Sequence, residues 1–287
     1  MGKKGKGWLL LGGGMVLGAV LASRRREKTE EVPSPQAEAQ ADIRREMERL
    51  KQGYEKQDRM RRDFTANVSH ELKTPLTSIS GYAEILREGI VKQEDVGRFA
   101  GKIYEESQRL ITLVEDILNL SLLDEGAPAQ EAPGAVDLYQ VCQETLATLG
   151  PAARRRGIGM SLSGRRHTVH GVEKILREIV YNLCDNAIKY NVEGGRMEVS
   201  VTREGSYVVL LVQDTGIGIP EGETDRVFER FYRVDKSHSK EIGGTGLGLS
   251  IVKHGAAYHN AQIRLDSQLG KGTRIWVRFP AGEEEKP

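Results

Sequence analysis

The first long pattern along the chain is helical and runs from about Ala37 to Gly89. Apolar or seam positions recur at heptad spacing: Ile43, Met47, Leu50, Tyr54, Gln57, Arg61, Phe64 and Val68. They continue as Leu72, Pro75, Ile79, Tyr82 and Leu86. From Arg61 to Pro75 the steps are three, four, four and three, which is a stutter that locally unwinds a coiled coil. Gly89 is the predicted stop of this helix.

A second amphipathic helix is predicted from about Glu94 to Leu123. Its apolar side is formed by Phe99, Ile103, Leu110, Val114, Ile117 and Leu118. Two such helices form a hairpin, but a lone hairpin buries little. We therefore expect a second copy to complete a four-helix bundle. Residues 126–134, GAPAQEAPG, predict a linker and a domain boundary.

After the linker the pattern mixes helices and strands, which predicts a two-layer α/β sandwich. The predicted helices are Leu138–Leu149, Val172–Asn191 and Leu247–His259. The predicted strands are Met197–Thr202, Tyr207–Gln213, Gln262–Asp266 and Thr273–Phe279. Between Gly216 and Gly246 there is little periodicity, and a loop of that length in a compact domain is usually functional or mobile.

Net charge and cysteine count make some classes of function less fitting for this chain. The 287 residues include 42 Lys and Arg against 41 Asp and Glu, a net charge of +1, which argues against general nucleic-acid binding. Cys142 and Cys184 are the only cysteines, so neither a disulfide framework nor a zinc spacing is possible. A reducing compartment fits this usage best.

Residues 8–22, WLLLGGGMVLGAVLA, are apolar and flanked by basic residues. We interpret them as a retained single-pass membrane helix, near the lower length limit for a span. A cleaved signal peptide and an artefact of expression are the alternatives. For a retained helix, Arg24–Arg26 would hold the catalytic part in the cytoplasm, although the N-terminal lysines compete.

The stretch NVSHELKTPL, residues 67–76, carries a chemical candidate and a structural irregularity. Pro75 costs a helix roughly 3 kcal/mol and frees the carbonyl of Glu71. His70 lies two residues from Val68, so it points away from the seam towards water. A neutral imidazole is a nucleophile, and Glu71 could accept its proton, although adjacent helical residues do not face each other. Thr74 shares the face of His70; the alternative is a solvated histidine.

A second polar set lies in REIVYNLCDNAIKYN, residues 177–191. Asn182, Asn186 and Lys189 recur on one side of the predicted helix. Amide oxygens suit Mg²⁺, and a lysine supplies charge for phosphate. A solvated polar face is the equally weighted alternative.

Two glycine-rich stretches and one arginine complete the candidates. DTGIGIP places Asp214 at a strand end with glycines that allow close backbone approach. GGTGLGLS opens a helix whose free N–H groups suit phosphate, although it is neither a Walker loop nor a good dinucleotide motif. Between them, FERFYRVD contains Arg233, which could stabilise a transferring γ-phosphate.

Taken in order, these five stretches resemble the H, N, G1, F and G2 boxes of bacterial sensor histidine kinases of two-component systems. The resemblance covers about Arg61 to Phe279. It implies a helical-hairpin dimerisation domain joined to a Bergerat-type ATP-binding α/β sandwich. It also implies ATP and Mg²⁺ as cofactors, a homodimer, and a response regulator with a receiver-domain aspartate as partner.

The resemblance also implies roles for single residues. His70 would be the phosphoacceptor and Glu71 its general base, while Thr74 would position a water for dephosphorylating the regulator. Asn186 would bind Mg²⁺ and Asp214 would read the adenine amino group. The nucleotide-binding set implied is Asn182, Asn186, Lys189, Tyr190, Asp214, Gly216, Gly218, Gly244, Thr245, Gly246, Leu247 and Gly248, with Arg233 on the γ-phosphate.

The expected domain organisation follows. Residues 1–25 form a basic flank and membrane anchor, 26–60 a linker and signalling coiled coil, and 61–125 the dimerisation and phosphotransfer domain. Residues 126–134 form a linker, 135–282 the ATP-binding domain and 283–287 a tail. Two departures from the family pattern are Val169-His170-Gly171 and His259-Asn260-Ala261.

Three functions are compatible with these observations. The leading one is ATP-dependent autophosphorylation of His70 followed by transfer to a regulator aspartate. A bifunctional protein acting mainly as a phosphatase is the alternative motivated by Thr74. A membrane-anchored scaffold that binds nucleotide without chemistry is the non-enzymatic alternative.

Overall fold

The computed structural model describes residues 35–124, 132–234 and 244–281, without the side chains of residues 35–42, 56 and 57. The apolar segment 8–22 lies outside these ranges. Within them, no helix is both long enough and apolar enough to cross a membrane. The chain divides into two compact units, Met1–Asp58 and Arg59–Pro287.

The first unit contributes the beginning of helix α1, which runs from Pro35 to Arg87. Its described heptad positions are solvent-exposed: Ile43, Met47, Leu50 and Tyr54. Burial of these apolar side chains would require a surface outside this single helix.

The second unit opens with a helical hairpin. Helix α1 ends at Arg87, two residues before Gly89, and helix α2 spans Val96–Asp124 after a 3₁₀ turn at Gln93–Asp95. The rings of Tyr82 and Phe99 meet edge to face across the hairpin, with centroids 5.8 Å apart. The helix continues through Pro75, whose side chain is buried. The proline therefore removes a hydrogen bond without ending α1.

The apolar side predicted for α2 is not fully buried within one chain. Val114 and Leu118 are 41% and 58% exposed, and a second copy is expected to complete the core around them. Leu113 and Leu120 are the buried positions of α2, in a cluster with Leu247 and Ile251 of the α/β domain. Sequence analysis did not include Leu113 and Leu120, because α2 faces a second domain, which the periodicity of one helix does not record.

The α/β domain has helices on one face of a five-stranded sheet. Its helices are α3 (Leu138–Arg155), α4 (Glu173–Lys189) and α5 (Gly248–Tyr258). Its strands are β1 (Gly134–Asp137), β2 (Gly159–Gly164), β3 (Thr168–Gly171), β4 (Arg196–Glu204), β5 (Tyr207–Asp214), β6 (Gln262–Gln268) and β7 (Gly272–Pro280). The sheet order is β2-β4-β5-β7-β6, antiparallel except for the β2–β4 pair, while β1 and β3 form a separate ribbon.

Alternation along the strands builds the core. Met197, Val199 and Val201 of β4 are buried while their neighbours face outward, and Ile179 and Leu183 of α4 cover this face. The predicted helical hairpin and two-layer sandwich are confirmed. Sequence analysis missed β1, β2 and β3, because four to six residues beside glycines show little alternation.

Candidate active site

A cavity of about 750 Å³ lies beside α4, and most of the predicted nucleotide-binding residues line it. Those lining it are Asn182, Asn186, Lys189, Tyr190, Asp214, Gly218, Arg233, Gly244, Thr245, Gly246 and Gly248. Helix α2 of the hairpin also contributes, through Asp116 and Asn119. The cavity is therefore built from both domains.

Helix α4 presents one polar face to this cavity. The Asn182 Nδ2 donates to the carbonyl of Glu178 at 2.9 Å, which turns the amide oxygen towards the start of α5. Lys189 forms an ion pair of 2.7 Å with Asp185 one turn earlier. Asp185 also lines the cavity. The lysine charge is thus held in place along the helix face.

Asp214 ends β5 and is held by backbone donors. Its Oδ1 accepts from the N–H groups of Gly216 at 2.8 Å and Thr273 at 3.2 Å. Burial raises the pKa of this carboxyl, and the two backbone hydrogen bonds oppose that rise. With Oδ1 fixed, Oδ2 is available to accept from a ligand amino group.

The loop after β5 depends on Gly218. Its φ is +67°, and a Cβ at this position would lie 2.0 Å from the carbonyl oxygen of Gln268. Any side chain here would force the loop away from the sheet edge. Gly216 is buried beside the loop but does not line the cavity.

The start of α5 closes one side of the cavity. Thr245 Oγ1 accepts from the Leu247 N–H at 3.2 Å and donates to Asp116 Oδ2 at 2.7 Å. A Cβ at Gly248 would lie 2.7 Å from Asn182 Oδ1, so α5 can approach α4 only with glycine here. Leu247 is fully buried in the cluster between the domains rather than in the cavity.

Asp116 is a functional candidate that sequence reasoning missed. Burial raises the pKa of its carboxyl, while the hydrogen bond from Thr245 opposes the rise. A signal existed, because Asp116 stands at helical spacing from the buried Leu113 and Leu120. An acid on the buried face of an amphipathic helix indicates a specific partner.

The predicted phosphoacceptor group lies on the outer face of α1. The His70 side chain is 77% exposed, and its Nδ1 is 3.9 Å from Glu71 Oε1, beyond hydrogen-bond distance. The Thr74 hydroxyl donates to the His70 carbonyl at 3.2 Å rather than to the imidazole. Glu71 Oε2 instead pairs with Arg233 Nη2 at 3.1 Å.

Three further contacts join the hairpin to the α/β domain. Arg230 Nη2 lies 2.7 Å from both oxygens of Asp124, and His254 Nδ1 lies 3.0 Å from Asp124 Oδ1. The rings of Phe64 and Phe231 stack at 5.7 Å with a tilt of 38°. Apolar and ionic contacts together hold the α/β domain against the hairpin.

Two family models match the chain in this same arrangement. The His Kinase A (phospho-acceptor) domain matches residues 60–126. The Histidine kinase-, DNA gyrase B-, and HSP90-like ATPase model matches residues 171–283, which contain α4, both glycine-rich loops and α5. The chain belongs to the sensor histidine kinases.

Individual histidine kinases give the extent of the similarity. SenX3 of Mycolicibacterium smegmatis is 42% identical over 221 residues, which cover 77% of this chain and 57% of SenX3. WalK of Bacillus subtilis is 36% identical over 244 residues, covering 81% of this chain and 38% of WalK. This chain therefore spans about half, or less, of the length of these relatives.

A solved structure shares both domains. Full-length ShkA in complex with AMPPNP matches with a TM-score of 0.56 and 27% identity, covering 77% of this chain and 46% of ShkA. The similarity extends the fold assignment across the hairpin and the ATPase domain.

Proposed function

We propose that this chain is an ATP-dependent protein histidine kinase that autophosphorylates on His70. The supporting observation is the cavity of the ATPase domain, which is lined by α4, by the start of α5 and by α2 of the phosphoacceptor hairpin. A non-enzymatic scaffold would not need an exposed histidine whose neighbour, Glu71, pairs with Arg233 of the cavity.

In the proposed reaction, an imidazole nitrogen of His70 attacks the γ-phosphorus of ATP. The bond from that phosphorus to the β–γ bridging oxygen breaks and ADP leaves, while Glu71 accepts the imidazole proton. Lys189 and Arg233 supply positive charge for the phosphates, and Asp214 accepts from the adenine amino group. Positioning and charge account for most of the catalysis in phosphoryl transfer.

Magnesium is part of this proposal. Asn186 lines the cavity near Asp185, and amide and carboxylate oxygens are ligands that suit Mg²⁺ together with phosphate oxygens. The metal would neutralise phosphate charge when bound. Asn186 would hold it, and Asn182 would support that position from the preceding turn.

Labelling with γ-labelled ATP and Mg²⁺ tests the kinase activity. The expected product is an acid-labile, base-stable adduct that is absent from His70→Gln. His170→Gln is the matched control, because His170 is an exposed histidine on the other domain. Label retained by His70→Gln would contradict the proposal.

We also propose that the phosphoryl group passes to an aspartate of a response regulator. Thr74 would then support hydrolysis of the aspartyl phosphate, in which a water attacks the phosphorus, the aspartate carboxylate leaves and inorganic phosphate is released. A phosphohistidine is a reactive donor, so onward transfer is chemically favourable. Thr74→Ala should abolish dephosphorylation of the regulator while His70 labelling persists. Thr77→Ala is the control, since its hydroxyl makes the same backbone contact, to Lys73 at 2.8 Å. Equal loss in both variants would remove Thr74 from this role.

The homodimer and the membrane anchor belong to the proposal as well. Exposed apolar side chains along the hairpin, including Leu76, Leu118 and Leu122, support pairing with a second copy into a four-helix bundle. Attachment through residues 8–22, with the catalytic domains in the cytoplasm, is tested by membrane fractionation with and without those residues. Unchanged partitioning would contradict it.

A further inference from the structure

Arg233 stands between the nucleotide cavity and the phosphoacceptor helix. Its side chain is only 8% exposed, and it lines the cavity together with Lys189 and Asn186. A Cβ at Gly246 would lie 3.3 Å from the Arg233 Nε, so the guanidinium runs along the glycine-rich segment before α5. The same guanidinium reaches Glu71 on α1 at 3.1 Å.

The hydrogen bonding of this guanidinium is incomplete. Nη2 donates to Glu71, but the buried Nε has no hydrogen-bond partner within the described part of the chain. An unsatisfied buried donor costs about 1–3 kcal/mol. Arg233 is therefore a site where a further anionic acceptor would be stabilised from the cavity side.

The Glu71 carboxylate has two possible uses in this geometry. It pairs with Arg233, while its other oxygen is 3.9 Å from His70 Nδ1 and makes no hydrogen bond to it. Separation from Arg233 would let the carboxylate turn towards the histidine. The ion pair thus withholds from His70 the group proposed to accept its proton.

A nucleotide γ-phosphate is a stronger competitor for the guanidinium than a carboxylate. It carries more negative charge and offers three oxygens, and arginine binds phosphate in a bidentate manner. For a ligand that needs Arg233 free, the apparent affinity is the intrinsic affinity multiplied by the fraction of molecules in which Arg233 is unpaired from Glu71. Reciprocally, binding of that ligand shifts the equilibrium of the Glu71–Arg233 ion pair towards separation by the same factor.

We propose that Glu71 and the γ-phosphate of a nucleoside triphosphate compete for Arg233. Glu71 is then a determinant of ATP-over-ADP discrimination in addition to its proposed role as a base, and triphosphate binding frees it for His70. ADP lacks the γ-phosphate and does not displace Glu71. This inference rests on the proposed function, because it uses the same nucleotide site.

Equilibrium binding of AMPPNP and ADP with Mg²⁺ tests the competition without any turnover. Glu71→Gln keeps the side-chain shape and removes the charge. It should lower the Kd for AMPPNP about fivefold, the factor expected for loss of a partly exposed ion pair. The Kd for ADP should change by less than about twofold, because the competing group is absent. Glu71→Ala should likewise lower the Kd for AMPPNP and leave the Kd for ADP within about twofold.

A double-variant cycle identifies the shared residue. In an Arg233→Gln background, Glu71→Gln should leave the AMPPNP affinity unchanged within about twofold. Glu84→Gln is the matched control, since Glu84 is an exposed acid on the same helix, 3.7 Å from Arg87. It should leave both nucleotide affinities as in the wild type, and circular dichroism checks that each variant is folded.

Three outcomes would overturn the inference. They are an unchanged AMPPNP affinity in Glu71→Gln, an equal change for ADP, and a change that persists in the Arg233→Gln background. The proposed function fails separately, if the wild-type chain binds neither nucleotide or does not label His70.

Discussion

The ATPase domain and the phosphoacceptor hairpin differ in how they are stabilised. In the ATPase domain, α4 and the central strands bury side chains such as Leu176, Ile179, Leu210 and Val277 completely. Among the described hydrophobic residues of the hairpin, apart from Pro75, only Leu113 and Leu120 are buried, and both face the ATPase domain. The ATPase domain therefore has its own hydrophobic core, whereas the hairpin buries its apolar side chains only against neighbouring surfaces.

The chemistry differs in the same way. The nucleotide cavity is assembled from several segments, each held by hydrogen bonds, as at Asp214 and Thr245. His70 lies on a solvent-exposed helix face, and its Nδ1 is 3.9 Å from Glu71 Oε1, too far for a hydrogen bond. As the proposed phosphoacceptor, an exposed His70 could be presented to the ATPase domain and to the proposed regulator in turn, which a buried histidine could not.

The largest effect of a single substitution on stability is expected in the core of the ATPase domain. Leu210→Ala should lower the free energy of unfolding by about 2–5 kcal/mol, because it leaves a cavity in the sheet. Leu269→Ala, at a leucine that is 62% exposed, should change it by less than about 0.5 kcal/mol. Denaturant unfolding followed by Trp fluorescence measures both. Similar values would mean that burial does not distinguish these sites.

The next effect concerns the hairpin. Leu118→Asp should weaken the proposed dimer about thirtyfold, because a charge would enter an apolar interface. The control Val192→Asp places the same charge at a 45% exposed site of the ATPase domain. Analytical ultracentrifugation measures the dissociation constants. A dimer that tolerates Leu118→Asp would place the interface elsewhere.

The nucleotide site should respond to a single methyl group. Gly248→Ala brings a Cβ to 2.7 Å from Asn182 Oδ1 and pushes α5 away from α4. We expect AMPPNP affinity to fall about tenfold, since phosphate and metal groups would lose alignment. Gly97→Ala on α2 meets no atom within 4 Å and should bind nucleotide as the wild type does. Calorimetric titration of both variants makes the comparison.

The smallest predicted effect is a pH dependence within the ATPase domain. The N–H of Val172, at the start of α4, donates to His259 Nε2 at 3.1 Å, and His259 Nδ1 donates to the Gly255 carbonyl at 2.8 Å. Burial lowers the pKa of His259, so folding favours the neutral ring. This contribution to stability is complete above the unfolded pKa of about 6.5 and is lost as pH falls towards the lowered folded value.

His259→Gln isolates that contribution. Between pH 7.5 and 5.5 the variant should lose less unfolding free energy than the wild type, because it lacks the His259 imidazole. His254, whose pKa burial also lowers, is present in both proteins and contributes equally to their losses. Equal losses would exclude His259 as the titrating group. The hydrogen bond from the Val172 N–H also gives His259 a structural role, and His259 belongs to the segment His259-Asn260-Ala261, which departs from the family pattern.

Much of the fold and site followed from local patterns. The hairpin, α4 and α5, and four of the five strands of the main sheet were predicted close to their observed bounds, because burial of one face repeats at helical or strand spacing. Helix α3 extends to Arg155 rather than Leu149, through Pro151, and the ribbon of β1 and β3 was missed. Tertiary pairing overrides weak local signals in these short segments.

By itself, the sequence determined the residue types and the spacing of the five motifs, and so the family and the set of candidate residues. Only the tertiary structure decided which of them meet. Arg233 and Glu71 are 162 residues apart, and Thr245 and Asp116 are 129 apart. Periodicity reports which face of one element is buried, whereas such pairs depend on how two separately folded surfaces dock.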